Sequence, residues 1–513
     1  MAMGINAGYL HVSLSFSVPS FGYDAAVGAV VTLPAFRRDF HITPSSMASI
    51  SSNIVSLLFG GAWFGSIIFA WLSRRIGRRY SLMGGIFIFL IGGIIQTACD
   101  GHLGQFYAGR FIAGLGVGAV SQISPTFVAE CAPREQRGRA VAMLEMNLAR
   151  GFLSYWITYA MSMHVSNASS SQWRIPIAMQ IVLGGIAFLF TIPIKESPRW
   201  LIRTGKETEG LISLAYLRAA PTGNKEVLQE FAEIKAQLRD EDEAAKGFSP
   251  RELLLPYNLR RIIIAIFMGF WASWTAHTAL MFYAPIIFQQ IGFSATTTSL
   301  LASGVFVTMK VVLTVIAIAY TVHRYGRISA LVVGATITGI IFFILAAIMA
   351  THPPELDGRL SAASKAMMAL IYLHVIVYSL TMGPLPWVYV SEIFPLRIRE
   401  LGQMSYSISV WTATFSLTKA SPLMFRSIGW KTWIIFATIN VGGSVVCWLL
   451  CPETKGLSLE EIDILFGSVS NAKRAANIEH ILQAEGADKV TRSLSSTSSE
   501  DGSGKDSEKL SIV

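Results

Sequence analysis

Ionisable side chains stand inside stretches that are otherwise apolar: Asp24, Arg110, Glu145, Arg150, His277 and Lys310. A charged group within a membrane-spanning run costs about 2.5 to 3.5 kcal/mol on insertion scales, so such a group faces a cavity or a partner and marks a proton or solute path. Asp24, in Phe21-Gly22-Tyr23-Asp24, has two compatible readings. It is a proton acceptor or a structural ion pair with Arg110, and an ion pair of that kind can itself switch on protonation. Glu145 and Arg150 lie five residues apart and point about 140° from each other on a helix, so they cannot pair as an i,i+4 couple and each needs another partner. His277 sits among aromatics, where an imidazole is either a packing group or a ligand. Lys310 is too deep in its run to snorkel easily, whereas Lys419 lies near enough to an end to reach the surface.

Charges also cluster where the apolar runs stop, and the clusters come in pairs. Glu130, Pro133 and Arg137 form E-x-x-P-x-x-x-R, and Glu392, Pro395 and Arg399 repeat it. Arg75-Ile-Gly-Arg78-Arg79 is echoed by Arg324-Tyr-Gly-Arg327-Ile328, and Glu196-Ser-Pro-Arg by Glu453-Thr-Lys-Gly. The separations of 249, 262 and 257 residues are close to half the chain and point to a duplicated unit. The R-x-G-R turns retain cations on the cytoplasmic side, and their duplication favours a gating role as well. Between the charge clusters, Gly114, Gly116 and Gly118 are spaced so that neighbouring helices can approach closely.

Elements that could position these residues follow from hydropathy. Of 513 residues, 52% are hydrophobic and 14% charged, with mean hydropathy +0.50, which excludes an ordinary soluble domain. Apolar runs of membrane-crossing length fall at 17–34, 50–72, 80–98, 105–127, 140–163, 173–194, 262–288, 297–320, 329–350, 366–391, 403–425 and 431–451. The expectation is an all-α membrane protein with twelve transmembrane helices in two six-helix halves, 1–194 and 262–451. Arg74, Arg75, Arg78 and Arg79 in one loop, and Arg134, Arg137 and Arg139 in another, put both termini in the cytoplasm. That retention accounts for the net charge of +9, so no nucleic-acid partner is assigned. With no cleavage pattern ahead of it, the first span is expected to act as its own targeting signal. Cys99, Cys131, Cys447 and Cys451 are scattered and suggest neither disulfide nor metal site.

The segment 195–261 is expected to form a central cytoplasmic loop with amphipathic helices, Val227, Leu228, Phe231, Ile234 and Leu238 sharing one apolar face. Residues 452–513 form a cytoplasmic tail that becomes disordered beyond about 470, where Ser, Asp, Glu, Lys and Gly dominate. Two spans should be broken, the seventh at Pro285 and the tenth at Gly383-Pro-Leu-Pro-Trp387, because broken helices line transporter cavities. Asn167-Ala-Ser169 is a glycosylation sequon in a short loop. No nucleotide loop, metal cluster or nucleophile constellation appears, which argues against an enzyme and against a cofactor.

In order and in duplicate, FGYD, RxGRR, GRFIAGLGVGA, ESPRWL, FYAP, GPLPW, SEIFPLRIR and PETKGLSLEEID make the chain resemble the sugar porter family of the major facilitator superfamily across residues 15 to 465, in a fungal sugar/quinate permease-like style. The resemblance implies a monomeric transporter of the plasma membrane that alternates access to a central site between its halves. It implies that Asp24 takes the coupling proton with Arg110 as counter-charge. Glu145, Ala272, Ser273, Thr278, Tyr283, Trp387 and Trp411 would contact solute. Arg75, Arg78, Glu130, Arg137, Glu196, Arg324, Arg327, Glu392, Arg399 and Glu453 would form an inter-helix clamp at the cytoplasmic gate, a network rather than isolated pairs.

The departures from the family pattern bear on the solute. Amides that suit vicinal hydroxyls, because each both donates and accepts, are replaced here by Ala272, Ser273, Thr278 and Glu145. Val410 precedes Trp411, and Arg74 and His323 stand where the R-x-G-R-R loops of the family carry an acid. With Arg150, His277 and Lys310 at hand for a charged substrate, the expected cargo is a sugar, a polyol or a sugar-like organic acid of the quinate type, moved with a proton. The alternatives are an uncoupled hexose facilitator, whose uptake a protonophore would not affect, and a non-transporting sensor that signals through its tail.

Overall fold

The computed structural model describes Tyr23 and residues 27–132, 148–245, 250–293, 295–317, 326–353, 361–395, 398–457 and 459–467. Among them every regular element is helical. The first part of the chain gives α1 (Val27–Val30), α2 (Pro34–Asp39), α3 (Met47–Ile76), α4 (Arg78–Thr97), α5 (Leu103–Cys131), α6 (Leu148–His164) and α7 (Ser171–Thr191). Three helices follow outside the apolar runs: α8 (Pro198–Arg203), α9 (Glu207–Arg218) and α10 (Lys225–Ala245). The rest comprises α11 (Pro256–Ser273), α12 (His277–Gln290), α13 (Thr296–Ile316), α14 (Arg327–Thr351), α15 (Ala362–Thr381), α16 (Leu385–Ile393), α17 (Arg399–Ser427), α18 (Lys431–Leu450) and α19 (Leu459–Leu465).

Among the described residues, α3, α4, α5, α7, α13, α14 and α18, and the pairs α11/α12 and α15/α16, are long and apolar enough to cross a bilayer. Large apolar side chains such as Leu189 and Trp448, 65% and 69% exposed, face outward. The chain is an integral membrane protein.

Small residues decide how closely its helices pack. A Cβ on Gly114 would lie 2.2 Å from the Leu58 carbonyl oxygen and one on Gly118 2.1 Å from that of Ala62, so one face of α5 rests on α3. A Cβ on Gly116 would lie 2.5 Å from the Gly85 oxygen, and that face rests on α4. From the other side, Gly61 and Gly65 of α3 abut the Phe111 and Leu115 carbonyls. Two small-xxx-small faces thus meet backbone to backbone, which is how helices associate where lipid is as apolar as leucine.

Both broken spans are present, but the seventh breaks elsewhere than at its proline. Helix α11 ends at Ser273, Ala276 adopts φ 69°, and α12 begins at His277 with Pro285 in its interior. A proline at 285 leaves the carbonyl four residues back, that of Met281, without its helical donor. The Tyr155 hydroxyl on α6 supplies one, donating to Met281 O at 2.6 Å, so the helix continues through the proline. The arrangement recurs at Pro422 inside α17, where the Tyr283 hydroxyl donates to Thr418 O at 2.7 Å. In the tenth span, α15 ends at Thr381 and α16 resumes at Leu385, with Met382, Gly383 and Pro384 between them.

In α10, Val227, Ile234 and Leu238 are buried against Ile202, Leu214 and Ala215 of α8 and α9, with Phe231 packed on the edge. Leu228 is 43% exposed, contrary to the shared face expected of it. One residue beyond Val227, it is rotated about 100° around the helix, out of the contact.

Candidate functional site

Two clusters of arginine and glutamate sit at one end of the bundle, and they have the same construction. In the first, the Arg78 guanidinium bonds Glu130 at the end of α5, Nη2 to Oε1 at 2.9 Å and Nε to Oε2 at 3.1 Å. Glu196 accepts the backbone N–H groups of Arg78 at 2.9 Å, Arg79 at 3.1 Å and Ser197 at 2.9 Å. It therefore caps α4, where a negative charge also meets the positive end of the helix dipole. Gly77, at φ 99°, leaves room for it, since a Cβ there would lie 2.3 Å from Glu196 Oε2.

The second cluster repeats this on α14. Glu453 accepts N–H groups of Arg327 at 2.8 Å, Ile328 at 3.0 Å and Lys455 at 3.1 Å. Arg327 Nη2 meets Glu392 Oε1 at 3.2 Å, and the Thr454 hydroxyl donates to Glu392 Oε2 at 2.6 Å. A Cβ on Gly326 would lie 2.5 Å from Glu453 Oε2, which makes it the counterpart of Gly77.

The two caps differ electrostatically. Burial raises the Glu196 pKa above the usual carboxylate value and outweighs the N–H groups that pull it down. Burial acts in the same direction on Glu453, but less strongly, and its N–H donors hold its pKa below that value.

Of the remaining expected clamp residues, Arg75 stacks over Trp71 at 4.1 Å. Arg399 Nε donates to Phe394 O at 3.3 Å. Arg137 and Arg324 lie outside the described residues.

Inside the bundle, Arg110 is wholly buried and its Nε donates to Ile54 O on α3 at 2.8 Å. Asp24 and Glu145 lie outside the described residues, as does the side chain of Arg150 in α6. Ser273 donates to Gly269 O at 2.9 Å and accepts from Thr414 of α17 at 3.3 Å. Ala272 and Thr278 are half-buried on either side of the α11/α12 break. Tyr283 is buried with its hydroxyl engaged on α17.

The two indoles have separate surroundings. Trp387 is 49% exposed and sits edge-on to Tyr406 at 4.8 Å. Trp411 is buried and stacks on Phe59 of α3 at 6.1 Å. His277 lies flat on Tyr378 at 3.7 Å, and its ring centre is 5.6 Å from that of His374 on α15. Lys310 is buried within electrostatic reach of both imidazoles. His374 is not among the residues expected from sequence, although an imidazole in the middle of the apolar run IYLHVIVYSL is the kind of signal that singles out His277.

Contacts between α1–α7 and α11–α18 gather toward the end opposite the Arg/Glu clusters. There Ser52 donates to Lys419 O at 2.6 Å, Lys419 Nζ bonds the Asn53 side chain, and Arg426 bonds Ser45 O. Lys419, part-buried, thus ties α17 to α3. Deeper, Tyr155 reaches Met281, Trp156 Nε1 donates to Thr308 at 3.2 Å, and Gly28 lets α1 touch the Phe282 backbone. Among the described residues, hydrogen bonds between these two sets of helices lie toward this end, and each Arg/Glu cluster bonds within itself.

The sugar (and other) transporter family matches residues 12–466. A quinate permease of Neurospora terricola is 33% identical over 488 residues, covering 92% of this chain and 90% of the relative. A quinate permease of Emericella nidulans is 32% identical over 464 residues, covering 88% and 87%. Among solved structures, the chain is similar in fold to the partially occluded inward-open xylose transporter XylE from E. coli, with TM-score 0.74, 23% identity, and coverage of 89% of this chain and 100% of that one. Similarity also extends to the major facilitator proton:xylose symporter XylE bound to 6-bromo-6-deoxy-D-glucose, with TM-score 0.73, 24% identity, and coverage of 91% and 100%.

Proposed function

The chain belongs to the sugar (and other) transporter family and is a membrane transporter rather than an enzyme, and from that premise we propose that it carries a small polyhydroxylated solute together with a proton by alternating access. The observation that carries the proposal is Arg110, a fully buried guanidinium in the interior of a membrane helix. A cation there needs an anion whose charge can be switched, and Asp24 is the acid of the first span. Protonation of Asp24 loosens its hold on Arg110 and lets the halves rock. The quinate permease names of the relatives support a sugar-like organic acid as cargo.

In this reading the halves are 1–194 and 262–451, joined by the 195–261 loop and followed by the 452–513 tail. The solute lies between them, against positions 145, 272, 273, 278, 283, 387 and 411, with Arg150, His277 and Lys310 available to a charged group. The Arg/Glu clusters face the cytoplasm with both termini, and the described contacts represent the state closed on the outer side. The carrier works as a monomer in the plasma membrane. The test is Asp24→Asn. That variant is expected to exchange labelled solute across the membrane but not to accumulate it uphill; accumulation at the wild-type level would remove Asp24 from the coupling role.

A further inference from the structure

His277 and His374 each carry ring nitrogens for which the described residues supply no hydrogen-bond partner. They are 3% and 0% exposed, and among the described residues neither ring nitrogen of either side chain has a hydrogen-bond partner. An imidazole always carries at least one N–H donor, and a buried donor left without a partner is unfavourable. Two such groups on facing helices, with ring centres 5.6 Å apart, are not accidents of packing to be left unexplained.

The surroundings specify what would satisfy them. Lys310 on α13 bears electrostatically on both rings, which sets a cationic side chain beside the two imidazoles. The first turn of α12 starts at His277 with no side-chain cap, and its first helical bond comes only at Leu280 N, to Ala276 O at 2.9 Å. A 14-residue helix therefore points uncapped N–H groups and the positive end of its dipole outward from the same residue. A metal is a poor fit, because no group of three metal-ligating side chains occurs among the described residues. The walls are flat and apolar: Tyr378 covers His277, Phe342 lies 4.8 Å from His374, and Phe306 lies 6.1 Å from His277. Thr278, beside His277, connects the cluster to the expected solute positions.

The geometry points to a carboxylate-binding subsite formed by His277, His374 and Lys310 at the start of α12, which makes the ionised form of an alicyclic hydroxy acid the cargo in preference to a neutral sugar. This deepens the transport reading and rests on it. The imidazole N–H groups and the ammonium hold the carboxylate.

The experiment measures binding of labelled quinate and of its neutral carboxamide to the purified chain, in wild type and in Lys310→Met, Lys310→Arg and His374→Gln. Elution as a single monodisperse species establishes that each variant is folded. Wild type is expected to prefer the acid at least ten-fold. Lys310→Met brings the ratio of the two affinities to about one, Lys310→Arg retains the preference, and His374→Gln reduces it. Equal binding of acid and amide by wild type, or an unchanged ratio in folded Lys310→Met, overturns the subsite. Uphill uptake of a labelled hexose with no quinate binding overturns the subsite and leaves the transport reading standing, whereas absence of binding and uptake for every solute removes both.

Discussion

The bond from Tyr155 to Met281 offers a sharp perturbation, because the reason for its existence is visible in the chain. Pro285 withholds the N–H that would have satisfied the Met281 carbonyl, and Tyr155, from α6, replaces it at 2.6 Å. Both residues are buried, Tyr155 completely and Met281 to 7% exposure, so water cannot substitute. Tyr155→Phe keeps the ring and leaves the carbonyl orphaned, at a cost of about 1–3 kcal/mol. If the bond exists only when α6 and α12 touch, that cost falls on the conformer described here, whose population relative to the alternative drops about 5- to 150-fold. Pro285→Ala returns an intrahelical donor to Met281, so in that background the same tyrosine substitution should shift the ratio by no more than about 3-fold. The assay is a distance distribution between spin labels at Ser49 and Ser427, exposed positions at the closed end. An equal shift with Pro285 present and in the Pro285→Ala background refutes the reasoning, since the tyrosine would then act through something other than the orphaned carbonyl.

The two caps should respond differently to pH. Because the Glu453 pKa is held below its ordinary value of 4.5, its carboxylate stabilises the fold above that pH and the contribution is lost as pH falls through the depressed value. Melting in detergent is therefore expected to drop for Glu453→Gln at pH 7 and to converge on wild type in acid. The Glu196 pKa is raised, so its contribution is complete below the ordinary value and is lost as pH rises through the elevated one. Glu196→Gln should accordingly lower the melting temperature less than Glu453→Gln at pH 7, and a larger loss would contradict the electrostatic distinction. In α5, Gly118→Leu forces a Cβ to within 2.1 Å of the Ala62 carbonyl oxygen, and separating α3 from α5 should cost about 1–3 kcal/mol or prevent folding, read as lost monodisperse yield. Leucine at Gly185, where a Cβ meets nothing within 4 Å, is the comparison that should be tolerated.

Much of this organisation is legible along the chain because it is local or periodic. Apolar runs announce the spans, and the paired Arg/Glu motifs announce two clusters with one design. What the one-dimensional pattern does not contain is partnership across distance. Nothing near Pro285 tells that a hydroxyl 130 residues earlier will repair the helix, so the pattern alone puts the break at the proline. It lies instead at Ala276, whose left-handed backbone carries no composition signal. Arg75 and Arg78 read alike in R-x-G-R-R, yet Arg78 faces Glu130 and Arg75 lies over Trp71, a choice made by their angular positions around the Gly77 turn. Leu228 departs from expectation for the related reason that an apolar residue next to a buried one on a helix points elsewhere. His374 carries the same signal along the chain as His277, and what the fold adds is their juxtaposition at 5.6 Å.

The central claim is that a proton gradient drives an acidic polyol through this chain. The most direct measurement reconstitutes the purified protein in liposomes and imposes a pH gradient, acid outside, with labelled quinate as cargo. Protons flowing inward are expected to concentrate quinate inside above its external level, with the excess collapsing when a protonophore is added. Uptake that only equilibrates, at the same rate with and without the gradient, would contradict the account and leave an uncoupled carrier.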